Sequence, residues 1–203
     1  MTDRDRAWVR ETLAGSEEAF TRLVDAYATP VYNLAYRMLG TQEEAEDAAQ
    51  ETFLRAYTRL HTFDLNRKFS SWLLSVASHH CIDRLRRRRG NLVSLDELPP
   101  WSLPACEGET AAQRVIRRER ESEIQRLLLQ IPPDYRLALV LRYWYDLSYA
   151  EMAEMTGTTV SAVKSRLHRA RLRLATLLSE EQETVPRKKP IVGGLQVAPS
   201  GGS

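Results

Sequence analysis

The side chains best equipped for chemistry in this sequence lie between Leu147 and Leu174, in LSYAEMAEMTGTTVSAVKSRLHRARLRL. Lys164, Arg169 and Arg171 are hydrogen-bond donors with a permanent charge, suited to phosphate oxygens and to the acceptor edge of guanine. On a helix turning about 100° per residue, Val160, Val163, Leu167, Ala170 and Leu174 fall on one apolar stripe. Ser161, Ser165, His168 and Arg169 fall on the opposite face, with Lys164 at its edge. One buried face and one face of donors is what a helix needs to lie in the DNA major groove. Arg166, Arg171 and Arg173 flank that face and suit phosphates better than base edges. The competing reading is an ordinary amphipathic helix with a solvated basic face.

The residues ahead of this helix are those that would hold it. Ser148 and Glu151 form a capping box, in which the hydroxyl takes an orphan backbone N–H and the carboxylate takes another. Met152, Ala153 and Met155 are the inward positions of a short first helix. Gly157 permits a sharp turn through positive φ, and Thr158 or Thr159 can cap the second helix. The unit is a helix-turn-helix, and it moves the question from catalysis to binding.

The 203 residues carry 29 Lys and Arg against 27 Asp and Glu, a net charge of +2, and 43% are hydrophobic. These values support one or two folded, soluble domains and argue against a polycation that coats DNA indiscriminately. The charge is segregated: acidic residues crowd 43–51, while Arg crowds 84–89 and the helix after Val160. Separate faces imply separate partners. Cys81 and Cys106 form neither a CxxC nor a disulfide framework, which fits a reduced, cytoplasmic protein. The amino-terminal MTDRDRAWVRETLAG has no apolar signal core, and no run approaches the ~20 apolar residues of a membrane span. Neither export nor membrane insertion is expected. The sequence shows no phosphate-binding glycine loop, metal-ligand cluster or nucleophile–base spacing, so neither an enzyme nor a cofactor is expected. His79, His80 and Cys81 are consecutive on one helix and cannot converge on one ion. Cys81 reads instead as a small core hydrophobe.

Nearly every periodic segment has the helical period, so the expected fold class is all-α. A helix over 16–28 turns Phe20, Leu23, Val24 and Tyr27 inward. Pro30 resets the backbone, and a second helix carries Val31, Leu34, Ala35, Met38 and Leu39 to Gly40. Thr41 with Glu44 opens a third helix, to about Leu60, with Ala45, Ala48, Ala49, Phe53 and Tyr57 inward. A loop over 61–70 leads to a helix over 71–89 that buries Trp72, Leu73, Val76, Ala77, Ile82 and Leu85. The stretch 90–110 has three prolines, four acidic residues and no basic one, the composition of a tether. Helix resumes near Ala112, stops at Pro132, and restarts at Pro133 to run to Tyr145. After Leu178 the chain turns polar and then rich in Gly, Pro and Ser, as in a disordered tail. The expected organisation is two helical domains, 1–90 and 112–179. A flexible acidic, proline-containing linker at 91–111 joins them, and a tail at 180–203 follows.

Three segments stand in a fixed order: AEDAAQETFLRAY from Ala45, FSSWLLSVASHHCIDRLRRRR from Phe69, and IPPDYRLALVLRYWYDLSYAEMAEMTGTTVSAVKSRLHRARLRL from Ile131. Together they resemble bacterial RNA polymerase sigma factors of the extracytoplasmic-function (ECF) group, in the sigma-70 family. These keep only the second and fourth conserved regions. The resemblance spans roughly 16–178. It implies a subunit that binds core RNA polymerase, directs it to a promoter, helps open the −10 region and is then released.

The resemblance also implies site residues. On the acidic third helix, Asp47, Gln50, Glu51, Leu54 and Arg55 match the face that docks on the clamp helices of the largest polymerase subunit, the flap region being a second contact. The loop residues His61, Phe63, Asn66, Arg67, Lys68 and Phe69 match the part that captures the melted −10 strand. So do the helix residues His79, His80, Asp83, Arg84, Arg86, Arg87 and Arg88. Where the family commonly carries Arg-Asn, the run here is Ser78-His79-His80-Cys81, an altered polar contact that leaves the promoter preference open. Ser161, Lys164, Ser165, His168, Arg169 and Arg171 match the reader of the −35 duplex. Asp96, Glu97, Glu107 and Glu109 match a linker that threads toward the polymerase cleft. Many family members are held by an anti-sigma factor, a further partner to consider. The alternative is a helix-turn-helix regulator acting without core polymerase. The two-component type needs an α/β receiver domain that the helical 16–89 segment does not provide. A recombinase needs a nucleophile that is not apparent, and a third alternative is a helical interaction module that touches no DNA.

Overall fold

The computed structural model describes residues 3–88 and 110–184, and among these it contains eight α-helices, one 3-10 turn and no strand. The first half comprises α1 (Asp3–Leu13), α2 (Glu17–Leu39), α3 (Gln42–Arg59), the 3-10 turn Leu60–Thr62 and α4 (Phe69–Arg88). The second comprises α5 (Ala111–Leu129), α6 (Pro133–Tyr143), α7 (Tyr149–Met155) and α8 (Val160–Thr184).

The helix α1 is an addition to the sequence reading. Its inward side is short: Val9 is fully buried, Trp8 packs against the core, and Asp5 accepts a hydrogen bond from the Tyr27 hydroxyl at 3.0 Å. Burial, with the Asp5 carboxylate second, pushes the Tyr27 phenol up to about 12. The helix α2 corrects a second expectation, because it continues through Pro30. An interior proline costs a helix about 3 kcal/mol. Leu23 on one side of Pro30 and Val31, Leu34 and Met38 on the other are all fully buried. Burying each such side chain contributes about 1.5–3 kcal/mol, so keeping both sets on one axis outweighs the proline.

Gly40 ends α2 at φ 99°, and Thr41 caps α3 by accepting the Glu44 N–H at 3.4 Å. The inward stripe of α3 is Ala45, Ala48, Thr52, Phe53 and Ala56. Tyr57, expected inward, is 49% exposed. Thr52 can replace an apolar residue there because its hydroxyl donates to the Ala48 carbonyl at 2.7 Å. The helix α4 starts at Phe69, two residues ahead of its expected start, and buries Phe69, Leu73, Leu74, Ala77, Ser78, Cys81 and Ile82. Cys81 is the small core residue expected, and burial pushes its thiol up to about 12.

In the second half, Thr110 and Gln113 form a capping box ahead of α5, a signal the sequence reading did not use. Pro133 is the first residue of α6, and the expected Ser148–Glu151 capping box opens α7. The helix α8 runs to Thr184, into the stretch read as tail. Arg89, the linker carboxylates Asp96, Glu97, Glu107 and Glu109, and Cys106 lie outside the described residues, as does 185–203.

The two halves share one hydrophobic core. Their joint is polar at its centre. Arg136 of α6 is 5% exposed and donates to the Met38 carbonyl at the end of α2. Its other amino group donates to the carbonyls of Leu129 at 2.8 Å and Ile131 at 3.1 Å. Gln125 of α5, also buried, donates to the Tyr36 carbonyl at 2.9 Å, and Tyr145 donates to the Pro30 carbonyl at 2.5 Å. Arg37 stacks on Trp144 with 4.2 Å to the ring centre.

Replacing Arg136 with Ala orphans these three carbonyls. At about 1–3 kcal/mol for each unsatisfied buried group, urea unfolding is expected to show a loss of about 3 kcal/mol or more. Arg136→Lys, which keeps the charge and part of the bonding, is expected to lose less.

Candidate nucleic-acid and polymerase interfaces

The carboxy-terminal interface begins with a helix fixed from behind. Val163, Leu167, Ala170 and Leu177 of α8 are buried and Leu174 is half-buried, while Val160, expected in the stripe, is 39% exposed at the helix start. Gly157 turns at φ 61°. Of the two expected caps Thr159 serves, accepting the Ala162 N–H at 3.1 Å, while the Thr158 hydroxyl pairs with Thr156 at 3.0 Å. With the back of the helix fixed, Ser161, Lys164, Ser165, His168, Arg169 and Arg171 are all exposed on the outer side. Three tyrosines flank these cations. Arg169 donates to the Tyr135 hydroxyl at 3.2 Å, Arg171 donates to Tyr143 at 3.0 Å, and Lys164 lies 5.9 Å from the ring centre of Tyr149. The sequence pattern of α8 carried no sign of these partners, which come from α6 and α7.

The loop before α4 separates into framework and surface. Phe63 and Phe69 are 6% and 1% exposed. They pack on each other at 5.6 Å between ring centres, and on Trp72 at 5.2 and 5.7 Å. Tyr27 meets Phe69 edge-on at 5.4 Å. Each such pair contributes about 0.5–1.5 kcal/mol beyond burial. The structure therefore withdraws Phe63 and Phe69 from the groups a nucleobase can reach and makes them the floor of the loop. His61, Asn66, Arg67 and Lys68 remain exposed. The Asn66 N–H donates to the Asp64 carboxylate at 2.9 Å, which shapes the turn.

Along α4, His79, Asp83 and Arg87 are exposed at four-residue spacing and line one face. Arg84 is turned away from that face, 3.5 Å from Glu44 and 3.4 Å from Asp47 on α3. Arg88 pairs with Glu44, and Arg86 sits 3.9 Å from Asp134 of α6. His80 is half-buried on the α3 side. The His79 ring lies 2.8 Å from the Ser75 carbonyl. Among the described residues no group of three or more His, Cys, Asp or Glu is arranged to hold a metal ion.

On α3, Asp47, Gln50 and Leu54 are exposed and Glu51 and Arg55 half-exposed. Glu51 accepts from Arg55 at 2.6 Å, which holds its carboxyl below the usual range. Leu54 is 63% exposed, and Tyr57 lies one turn further along the same edge, its ring 4.8 Å from Phe20. The face is thus an apolar pair ringed by charge, which suits a protein partner better than a phosphate backbone. Tyr57 belongs to it although its spacing had assigned it to the core.

Comparison with known proteins decides the family. Residues 23–90 match the family described as Sigma-70 region 2, and residues 121–174 match Sigma-70, region 4. The ECF RNA polymerase sigma factor SigW of Bacillus subtilis is 37% identical over 169 residues, which span 80% of this chain and 90% of SigW. The ECF sigma factor SigM of Mycobacterium tuberculosis is 33% identical over 167 residues, 82% of this chain and 80% of SigM. The chain belongs to the ECF sigma factors. Among solved structures, CnrH in complex with the cytosolic domain of CnrY superposes with a TM-score of 0.63 at 25% identity. That match covers 88% of this chain and 99% of CnrH. This sigma factor accordingly binds core RNA polymerase and directs promoter-specific initiation. Among its described residues no helix is long and apolar enough to cross a membrane.

His80 offers a check on this geometry. Burial, with the nearby Arg55 charge second, lowers its pKa below 6.5. An imidazole held neutral in the fold supports stability above its unfolded pKa, and that support is lost as pH falls through the folded value. The His80 ring resonances are expected to titrate below pH 6.5, and His80→Gln is expected to flatten the decline of stability on the acid side.

Proposed function

We propose that this sigma factor divides promoter recognition and polymerase binding among three surfaces. Lys164, Ser165, His168 and Arg169, with Ser161 and Arg171 at the margins, face the −35 duplex. His61, Asn66, Arg67 and Lys68 of the loop, with His79, Asp83 and Arg87 of α4, face the opened −10 strand. Asp47, Gln50, Glu51, Leu54 and Arg55, joined by Tyr57, dock on the clamp helices of the polymerase. The observation that carries this reading is the outward face of α8, whose donors are exposed while Val163, Leu167 and Ala170 fix its back. A solvated basic helix would not need the two flanking helices to set its orientation.

The protein performs no bond chemistry in this scheme. The opened strand is favoured because the loop binds it and not the duplex, a shift in population. Each reader is weak alone, and polymerase raises the effective concentration of one at its site once the other has bound. The place of action is that of the polymerase, the cytoplasm.

In vitro transcription with purified core polymerase tests the reading, with start sites mapped by sequencing. No holoenzyme with the cognate core would overturn it. Leu54→Asp places a charge in the exposed apolar pair and is expected to weaken core binding tenfold or more, about 1.4 kcal/mol. Binding of the full chain to −35 duplex should be unchanged. Lys164→Ala is expected to weaken −35 duplex binding across sequences and to reduce the slope of log K against log salt by about 1; an unaltered slope removes Lys164 from the phosphate contacts.

A further inference from the structure

The strand-reading loop already has a partner in this structure. Arg67 lies 2.7 Å from the Glu154 carboxylate, and Lys68 lies 3.0 Å from that of Glu151. Beside them, the Ser75 hydroxyl of α4 donates to the Met155 carbonyl at 2.9 Å. Positions 151, 154 and 155 share one face of α7, so the helix presents two negative charges one turn apart to two cations of the loop. Exposed ion pairs of this kind contribute little to stability. The buried joint at Arg136, Gln125 and Tyr145 holds the halves together, and the ion pairs decide which charges the closed form engages. Arg67 and Lys68 stay exposed, yet their charges are taken up by the other half. Asp47, Gln50 and Leu54 on the polymerase face are exposed too, as are Ser161, Lys164, Ser165, His168 and Arg169 on the duplex face.

We propose that α7 is a built-in competitor of the opened strand: in the free chain Glu151 and Glu154 stand in for phosphates on Arg67 and Lys68. The loop takes DNA once these ion pairs are released, and separation of the two halves releases both at once. The proposal rests on the −10 assignment made above. It explains why the one acidic face of a basic helix-turn-helix unit is the face turned to a basic loop. A tethered competitor acts at high effective concentration, so the closed chain can meet polymerase and −35 duplex while its strand reader stays occupied.

The test uses the full chain without polymerase and a fluorescein-labelled, randomised 12-nucleotide single-stranded DNA at low salt. Glu151→Gln/Glu154→Gln removes both charges and keeps the capping box, which accepts Gln as well as Glu. Glu43→Gln/Glu46→Gln, at the far end of α3, is the control for net charge. Gln125→Glu sets a carboxylate against the Tyr36 carbonyl and opens the joint without touching loop or α7. Amide hydrogen exchange of residues 64–68 reports release of the loop independently of DNA. The expected result is faster loop exchange and a 3- to 30-fold gain in single-strand affinity for the first and third variants, and neither for the control. Unchanged exchange and affinity in both overturns the proposal, as does an equal affinity gain in the control. Faster exchange with no single-strand binding by any variant rejects the strand-reading assignment and the competitor role with it, and leaves the contact as packing alone.

Discussion

The Arg136 guanidinium is buried where the ends of two helices converge, and its acceptors are the carbonyls of Met38, Leu129 and Ile131. An isolated buried charge is among the most costly features a fold can contain. Arg136 is tolerated because its acceptors lie at or just past helix C-termini, where unsatisfied carbonyls carry the negative end of the macrodipole. Each side resolves the other's deficit. Burial still lowers its pKa to about 10, far above neutrality, so the cation persists throughout the physiological range. Because the acceptors lie on α2, on α5 and in the turn after α5, and the donor on α6, the same group that closes the second half also fastens it to the first.

That arrangement governs the three interfaces. Gly40, at φ 99°, directs the chain away from the end of α2, and Leu129 packs into the space a Cβ would occupy there, 2.8 Å from its position. A side chain at this position would be strained by the positive φ and would force the Leu129 side chain to give way. With α5 and α6 seated, Tyr135 and Tyr143 lie beside the cations of α8, and α7 reaches the loop before α4. The face of α3 proposed to dock on polymerase lies outside this chain of contacts, so the domain joint does not reshape it.

Much of this was legible in the sequence, and the failures have physical causes. The capping box at Ser148, the turn at Gly157 and the outer face of α8 follow from local rules, and local rules suffice when a helix has one buried side. The apolar period placed Val31, Leu34, Ala35, Met38 and Leu39 in the core correctly. The proline rule failed at Pro30, where tertiary burial overrode backbone preference, and the apolar period failed at Tyr57, where Thr52 and Ala56 took the inward places. Phe63 and Phe69, matched by resemblance to the strand-capturing loop, are buried. Aromatic residues in a cationic loop match both a base-stacking surface and a hydrophobic floor, and only their burial separates the two. The contact between the halves was beyond reach, because Arg136, Gln125 and Tyr145 find their partners on helices roughly a hundred residues away in sequence.

The two kinds of contact at the joint differ in strength and therefore in consequence. Arg136, Gln125 and Tyr145 act in a dry environment, where hydrogen bonds are strong and salt has little access. Arg67–Glu154 and Lys68–Glu151 are exposed and screened by salt. Polyanions and salt therefore act first on the loop, while separation of the halves requires a partner that supplies binding energy of its own. A partner docking on the exposed Leu54 and Tyr57 edge can supply it if the docked state prefers the halves apart, since a ligand shifts an equilibrium only by its differential affinity for the two states. The placement of the proposed polymerase face outside the joint makes that order possible: on the proposed assignments, docking can precede opening, and opening can precede strand capture.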